Sequence, residues 1–167
     1  MPQPTPTTQM TQPAPVSMQL KDFFAPDAIS LDLQASGKDA VLAELVGLLG
    51  LDARSTDTLL RVIGRRESLG STGLGHGIAI PHSRSLIVTR LRLAYGHHRA
   101  GVEYQAIDAK PVHDLFLIVA PPLEVANQYL PVLARIAQLA KEPEVPSRLA
   151  ALTSPEEFFR LLEEKKV

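Results

Sequence analysis

Three strand-length apolar segments, some of them joined by connections too short to hold a helix, constrain the fold of this chain more than any other feature. Residues 78–80, 91–97 and 112–120 have the length and apolar content of buried strands. Parallel neighbours need a crossover of about a dozen or more residues, so strands joined by shorter connections run antiparallel. Because helical patterns lie on both sides of these segments, the sequence predicts an α/β fold with a mixed sheet.

The flanking regions carry helical periodicity with recognisable ends. Gly50 stops the first pattern, and Ser55 is the expected N-cap of the second. Ser154 and Pro155 have the order of an N-cap and a first-turn proline. Before the helices, residues 29–34 alternate apolar and polar side chains, which predicts one more strand. Helices are expected over residues 41–49, 55–68, 129–140, 145–152 and 155–164.

The first 19 residues differ in composition from the rest of the chain. They are rich in Pro, Thr and Gln and contain no charged side chain. Such a segment has little apolar surface to offset the entropy of ordering, so residues 1–19 are predicted to be a disordered tail. A proline-rich ligand for an adaptor domain is the alternative. Residues 20–166 are expected to form one domain.

Composition excludes several classes of function. The formal net charge of −1 and the lack of a basic run give no electrostatic reason to expect nucleic acid as a partner. Cysteine is absent, which excludes disulfides, thiolate chemistry and cysteine-ligated zinc. The apolar runs are far shorter than the roughly 20 residues of a membrane span, and no signal-peptide pattern is visible. A cytoplasmic protein is expected.

The most informative stretch is a glycine-dense segment that leads to a histidine. The glycines predict a loop whose amides can approach an anion closely. A buried apolar strand then ends at Pro81, and His82 follows on a rigid stem. Neutral imidazole is available near pH 7 and can attack a phosphoryl donor. The glycines are Gly70, Gly73, Gly75 and Gly77.

Groups suited to phosphate lie on both sides of this histidine. Arg66 precedes the loop and Arg84 follows His82, and a guanidinium can donate paired N–H groups to phosphate oxygens. The Thr72 hydroxyl is a further candidate donor. This chemistry alone leaves open that His82 is an ordinary surface residue. No nucleotide P-loop and no G-x-S-x-G hydrolase motif occurs.

The run RESLGSTGLGHGIAIPHSR, residues 66–84, closely resembles the phosphorylation-site signature of the fructose/mannitol/nitrogen IIA family of the bacterial phosphotransferase system. That signature joins Arg-Glu, a TG-x-G-x-G loop and A-[IV]-PH. The resemblance extends over about residues 20–166. It includes an I-x-L-x-L segment followed by Lys38, and a D-[AG]-x-P-V segment at residues 108–112.

The resemblance implies a fold and a set of roles. The fold would be a mixed five-stranded sheet flanked by helices on both faces. His82 would accept a phosphoryl group on Nε2 from the small carrier HPr or its nitrogen-branch relative NPr, with Arg66 stabilising the phosphate. The phosphate loop would comprise Thr72, Gly73, Gly75 and Gly77. No metal or organic cofactor is implied.

Family members then divide into two functional types. In sugar-transporting members the phosphoryl group passes to a IIB domain, and contact with a membrane transporter is at most peripheral. In nitrogen-branch members the phosphorylation state regulates a target protein. We expect the regulatory type, with the sugar phosphocarrier and a non-phosphorylated interaction domain as alternatives. In each case the chain would be a component of a phosphotransferase relay and not a stand-alone enzyme.

Some positions depart from the family pattern. Tyr129 stands where many members have a second histidine beside the phosphoacceptor. Altered transfer kinetics, a specialised regulatory role or harmless drift would explain it. Ser83 replaces a common glycine. His76 is either a second imidazole near the phosphate or an exposed loop residue. The spacing of the other histidines, His97 and His98 among them, matches no common zinc motif.

Overall fold

The computed structural model describes residues 18–124 and 127–167. The tail predicted for residues 1–19 therefore lies almost entirely outside the described residues. After a short 3-10 helix (Leu20–Phe23), the elements in chain order are β1 (Phe24–Ser30), α1 (Lys38–Gly47), α2 (Ala53–Ser68), β2 (Gly73–Gly75), β3 (Ile78–Ala79), β4 (His82–Arg84), β5 (Arg92–Val102), β6 (Val112–Ala120), α3 (Tyr129–Ala140), α4 (Val145–Ala150) and α5 (Pro155–Glu164).

The strands form one mixed sheet in the order β1-β5-β6-β3-β2, with β4 also paired to β6. β5 and β6 are antiparallel, whereas β1 runs parallel to β5, and β3 and β4 run parallel to β6. Ile78 lies opposite Asp114 and His82 lies opposite Ile118, so β3 and β4 follow one another along the same edge of β6. Pro81, which has no amide proton, separates them. The sheet therefore has five strand positions, as expected, and β3 and β4 together occupy one of them.

Helices cover both faces of the sheet, as predicted. Alternate residues of β6 point to opposite sides. Leu115 and Leu117 join a core formed with α1 and α2, whereas Phe116 and Ile118 join a second core formed with α3, α4 and α5. Because β6 is buried on both faces, it is the central strand against which the other elements are positioned. No helix in the described part of the chain is long and apolar enough to cross a membrane.

The first strand lies earlier than the alternating pattern predicts. The alternation at residues 29–34 indicated the strand, but β1 ends at Ser30. Leu33 is nevertheless buried, because it packs directly on Gly96, where an added Cβ would lie 2.4 Å from a Leu33 methyl carbon. The alternation thus reports burial that continues beyond the strand. Pro26 is tolerated within β1 because β1 is an edge strand.

Two further local predictions are corrected. α2 begins at Ala53 with Asp52 as its N-cap, whose carboxylate accepts from the Ser55 amide at 2.8 Å, so Ser55 lies inside the first turn. The glycine-dense segment is not an open loop: β2 and β3 pair as a hairpin. His76 and Gly77 at its tip both have positive φ, as two-residue hairpin turns require.

Candidate functional site

His82 is the first residue of β4, and it is half-buried. Its Nδ1 lies 2.6 Å from the carbonyl oxygen of Ile80. A carbonyl oxygen only accepts, so this contact requires the proton on Nδ1 and leaves the lone pair of the neutral ring on Nε2. That nitrogen is the ring atom that is able to act as a nucleophile. The adjacent Ser83 is buried, and its hydroxyl donates to the Arg84 carbonyl.

Tyr129 lies beside His82, with ring centroids 6.2 Å apart. It is the first residue of α3, and its amide donates to a Glu124 carboxylate oxygen at 3.1 Å. The Arg84 guanidinium lies 4.5 Å above the phenol ring and donates to the Pro121 carbonyl at 3.0 Å. The structure therefore brings together the histidine, the tyrosine and one of the two arginines singled out from the sequence.

Arg66 contributes a second positive charge to this group. It lies in the last turn of α2, where its Nη1 donates to the Gly70 carbonyl at 2.9 Å. Burial raises the pKa of the Tyr129 phenol, and the positive charges of Arg84 and Arg66 act in the opposite direction. Both guanidinium groups thus act on the phenol beside His82. An imidazole beside a tyrosine that contacts Arg84 and lies within electrostatic range of Arg66 is in surroundings suited to a phosphoryl group.

A buried polar network around Glu67 is not apparent from the sequence. Glu67, next in the chain, is 7% exposed and forms an ion pair with Lys38 at 2.9 Å. The Tyr104 hydroxyl donates to Glu67 at 3.0 Å, and the amide and hydroxyl of Thr72 also bond to this carboxylate. The Thr72 side chain therefore bonds within this network, and its role in a phosphate loop stays a prediction. The Arg66–Glu67 and Thr72–Gly73 pairs belong to the sequence signature, but the sequence does not show that Glu67 contacts Thr72.

The glycines are also placed differently from the expected phosphate loop. Gly77 accepts from the amides of His113 and Asp114 at the start of β6, whereas His82 pairs with Ile118. Asp114 and Ile118 are four residues apart along β6, which is a distance of about 13 Å. Gly75 and Gly77 therefore form the hairpin tip and do not cradle a group on His82. The exposed His76 lies at the same tip and does not supply a second imidazole there.

Gly73 has a packing role within the same hairpin. It pairs with Ala79, and its carbonyl accepts from the Ile107 amide at 3.1 Å. An added Cβ would lie 2.7 Å from the Ala106 Cβ, so no larger residue fits without displacing the backbone. The glycine pattern thus reflects close packing and turn formation.

A protein-family model described as "Phosphoenolpyruvate-dependent sugar phosphotransferase system, EIIA 2" matches residues 22–165. The chain belongs to the EIIA 2 family. The match includes His82, both arginines and Tyr129, so the site described above lies wholly within the EIIA 2 domain.

Relatives of this EIIA 2 chain carry two kinds of name. A nitrogen regulatory protein of Bradyrhizobium diazoefficiens is 29% identical, over 87% of this chain and 95% of the relative. A fructose-specific EIIABC component of Bacillus subtilis is also 29% identical over 87% of this chain, which spans only 23% of that relative. The crystal structure of the nitrogen regulatory protein IIA-Ntr from Neisseria meningitidis superimposes with a TM-score of 0.77 at 30% identity, covering 84% of this chain and 97% of that one.

The remaining histidines of the EIIA 2 domain lie away from His82. His97 and His98 are not at a strand end, because β5 continues to Val102. His98 is buried, with its Nε2 bonded to the Ala35 carbonyl and its Nδ1 accepting from the Gly101 amide. Among the described residues, no group of three or more His, Cys, Asp or Glu side chains is arranged to hold a metal ion.

Proposed function

We propose that this EIIA 2 protein accepts a phosphoryl group on Nε2 of His82 from the phosphohistidine of HPr or NPr, and that it acts as a regulatory phosphoprotein of the nitrogen type. The observation that supports this most directly is the 2.6 Å contact between His82 Nδ1 and Ile80, which leaves Nε2 as the nucleophile. In the transfer, a bond forms between Nε2 and phosphorus while the donor's P–N bond breaks. The donor imidazole leaves with the electron pair of that bond.

The charges around His82 support phosphoryl acceptance. A phosphoryl group brings negative charge, and Arg84 and Arg66 supply positive charge on the side where Tyr129 lies. Phosphoryl transfer depends mainly on positioning and electrostatic stabilisation, and guanidinium groups serve both. Tyr129, whose pKa burial raises, stays neutral at physiological pH and offers one hydroxyl donor.

Two observations favour the regulatory type over the sugar phosphocarrier. Tyr129 replaces the second histidine of many relatives, and the nitrogen regulatory relative is matched over nearly its whole length. The second candidate is a IIA phosphocarrier that passes its phosphoryl group to a IIB domain during fructose- or mannitol-type uptake. It is favoured by the equally similar fructose-specific component of Bacillus subtilis. Both candidates place the protein in the cytoplasm.

The test is reconstitution of the relay. The protein is incubated with phosphoenolpyruvate, enzyme I and either HPr or NPr, and intact mass is measured. We expect one phosphoryl adduct that is labile in acid and stable in base, absent from His82→Ala and present in His76→Ala, the matched histidine control. Absence of any adduct with either carrier would contradict the proposal and leave a non-phosphorylated interaction domain. Rapid onward transfer to a IIB domain would favour the sugar phosphocarrier.

A further inference from the structure

A second concave site lies at the other end of β6 from the His82 level. It is a cleft of about 430 Å³ between the sheet and α4. Asp114 on its wall is four residues along β6 from Ile118, the partner of His82, a distance of about 13 Å. The volume is within the range of small-molecule pockets. No step of the proposed phosphoryl transfer uses this cleft.

Two imidazoles on the sheet side are held in fixed orientations. His97 Nδ1 lies 2.7 Å from a carboxylate oxygen of the buried Asp114, which also accepts from the Tyr95 hydroxyl at 2.6 Å. His113 Nδ1 lies 2.9 Å from the His98 carbonyl. In both rings Nδ1 is engaged, and within the described residues neither Nε2 has a hydrogen-bond partner. The rings are nearly parallel, with centroids 6.3 Å apart.

The backbone makes room for one of these rings. At Gly101, which has φ of +87°, an added Cβ would lie 2.9 Å from His113 Cε1 and 3.1 Å from its Nε2. At Gly77 an added Cβ would lie 3.6 Å from Cδ2 of the same ring. The imidazole therefore packs against both glycines, in space that a side chain at Gly101 would fill. A ring accommodated in this way is an ordered part of the wall.

The lining carries few formal charges. Arg99 supplies its positive charge, and His76 adds a third imidazole beside those of His97 and His113. Among the lining residues, Asp114 is the one carboxylate, and Tyr95 and His97 already bind it. The opposite wall is apolar, with side chains of Leu31, Leu149 and Leu152.

We propose that this cleft binds a small organic anion. Its charged group would lie against Arg99, and its apolar part against Leu149 and Leu152. In the neutral rings of His97 and His113, Nδ1 donates and Nε2 keeps its lone pair, so these two nitrogens would accept from a donor group of the ligand. Two arranged polar groups beside an apolar wall are typical of pockets that orient a ligand.

Binding is tested with three probes on the full chain, by calorimetry and by NMR shift mapping. The probes are phenylphosphonate, which is anionic and apolar, inorganic phosphate, which is only anionic, and benzyl alcohol, which is neutral. We expect phenylphosphonate to bind at least about tenfold more tightly than either of the others, the effect of one additional charge-assisted contact. Equal binding of all three, or no saturable binding of phenylphosphonate, would overturn the proposal.

Variants locate the probe. Arg99→Ala and His97→Gln are expected to weaken phenylphosphonate binding by about tenfold each. Arg99 is exposed, so its replacement leaves the core intact, and Arg90→Ala is the matched control at another exposed arginine. His82→Ala is expected to bind the probe as wild type does. Loss of binding in His82→Ala with retention in Arg99→Ala would place the anion at the candidate phosphoacceptor and overturn the assignment, while leaving the relay experiment unaffected.

Discussion

The imidazole of His82 and the carbonyl oxygen of Ile80 lie 2.6 Å apart across the single residue Pro81. The ring of Pro81 fixes φ, so the short connection has little freedom to separate them. The carbonyl therefore selects one tautomer of the histidine before any donor arrives. The side chain of a mobile surface histidine would sample both tautomers.

We expect neutral His82 to carry its proton on Nδ1. Long-range ¹H–¹⁵N correlation spectra distinguish the two ring nitrogens, and Nε2 should show the shift of an unprotonated nitrogen when the ring is neutral. After phosphorylation, the perturbed nitrogen should again be Nε2. A spectrum dominated by the Nε2–H form would contradict the geometry at Ile80.

Tyr129 is expected to make the pH dependence of phosphorylation simpler than a histidine would. Burial raises the pKa of its phenol, so the group stays neutral as pH increases through 5 to 8 and contributes no titration there. Tyr129→His would introduce a group that loses its positive charge as pH rises through this range. The ratio of the variant's rate of adduct formation to the wild-type rate, measured from pH 5.5 to 8.5, should then decrease as pH rises.

Tyr129→Phe is the control for this prediction. It keeps the ring that packs 6.2 Å from His82 and lies under Arg84, and removes only the hydroxyl. We expect its rate to lie within about threefold of wild type, the effect of at most one weak hydrogen bond. Identical pH profiles for the tyrosine and histidine forms would show that residue 129 does not influence the transfer.

Arg66 and Arg65 form a matched pair for measuring the contribution of charge at the site. They are neighbours on the last turn of α2, but Arg66 acts on the Tyr129 phenol whereas Arg65 is exposed. Arg66→Ala should slow adduct formation by at least about tenfold, the loss of one charge-assisted contact to phosphate. Arg65→Ala should have little effect. Equal rates for the two variants would exclude a role for Arg66.

The Lys38–Glu67 ion pair should stabilise the domain by fixing the end of α2. Lys38→Met would leave the buried Glu67 carboxylate without its cation, and removing one partner of a buried pair costs about 3 kcal/mol in the free energy of unfolding. Urea denaturation gives this value, with Lys110→Met at an exposed position as control. A loss equal to that of the control would show that Thr72 and Tyr104 satisfy the carboxylate without the lysine.

The same network should contribute to acid sensitivity. Burial tends to raise the pKa of Glu67, but hydrogen bonds from Thr72, Lys38 and Tyr104 outweigh it, and the net shift is downward from 4.5. A carboxyl with a lowered folded-state pKa adds stability above its unfolded value, and this stability is lost as pH falls below 4.5 through the folded-state pKa. Glu67→Gln should therefore reduce the dependence of unfolding free energy on pH in this acid range.

Gly73 should tolerate alanine less well than its neighbour Gly70. An added Cβ at Gly73 would lie 2.7 Å from the Ala106 Cβ, whereas at Gly70 no heavy atom lies within 4 Å. Overpacking of this kind costs about 1–3 kcal/mol. Thermal unfolding of Gly73→Ala and Gly70→Ala compares the two positions, and equal stability would mean that the hairpin shifts without cost.

The sequence predicts well those features that depend on local pattern. The strand β6 and the Ser154–Pro155 start of α5 are found at the expected residues. Burial on two faces gives a continuous apolar run, and helix capping gives a characteristic pair of neighbouring residues, so both can be recognised from adjacent positions in the sequence. The position of Tyr129 at the start of α3 and beside His82 follows instead from the resemblance to the family, whose ordered pattern fixes the register.

Features that depend on contacts distant in sequence were not predictable. The glycines suggested a phosphate loop, but their amides and carbonyls pair within a hairpin whose position relative to His82 is set by register on β6. Thr72 was assigned to phosphate because nothing in the local pattern reveals that Glu67 and Tyr104 bind it. The cleft with His97 and His113 arises only once β5 and β6 bring these residues together with α4.

The pairing of β4 with β6 has a consequence for how the state of His82 is transmitted. The Ile118 amide donates to the Pro81 carbonyl at 3.0 Å, in a strand buried on both faces, so this bond opens only when the whole sheet opens. His82 is thus attached to the part of the chain with the slowest expected amide exchange. We therefore expect the backbone at this point to remain the same whether or not the ring carries a charged group, so that a partner would distinguish the two forms by surface charge.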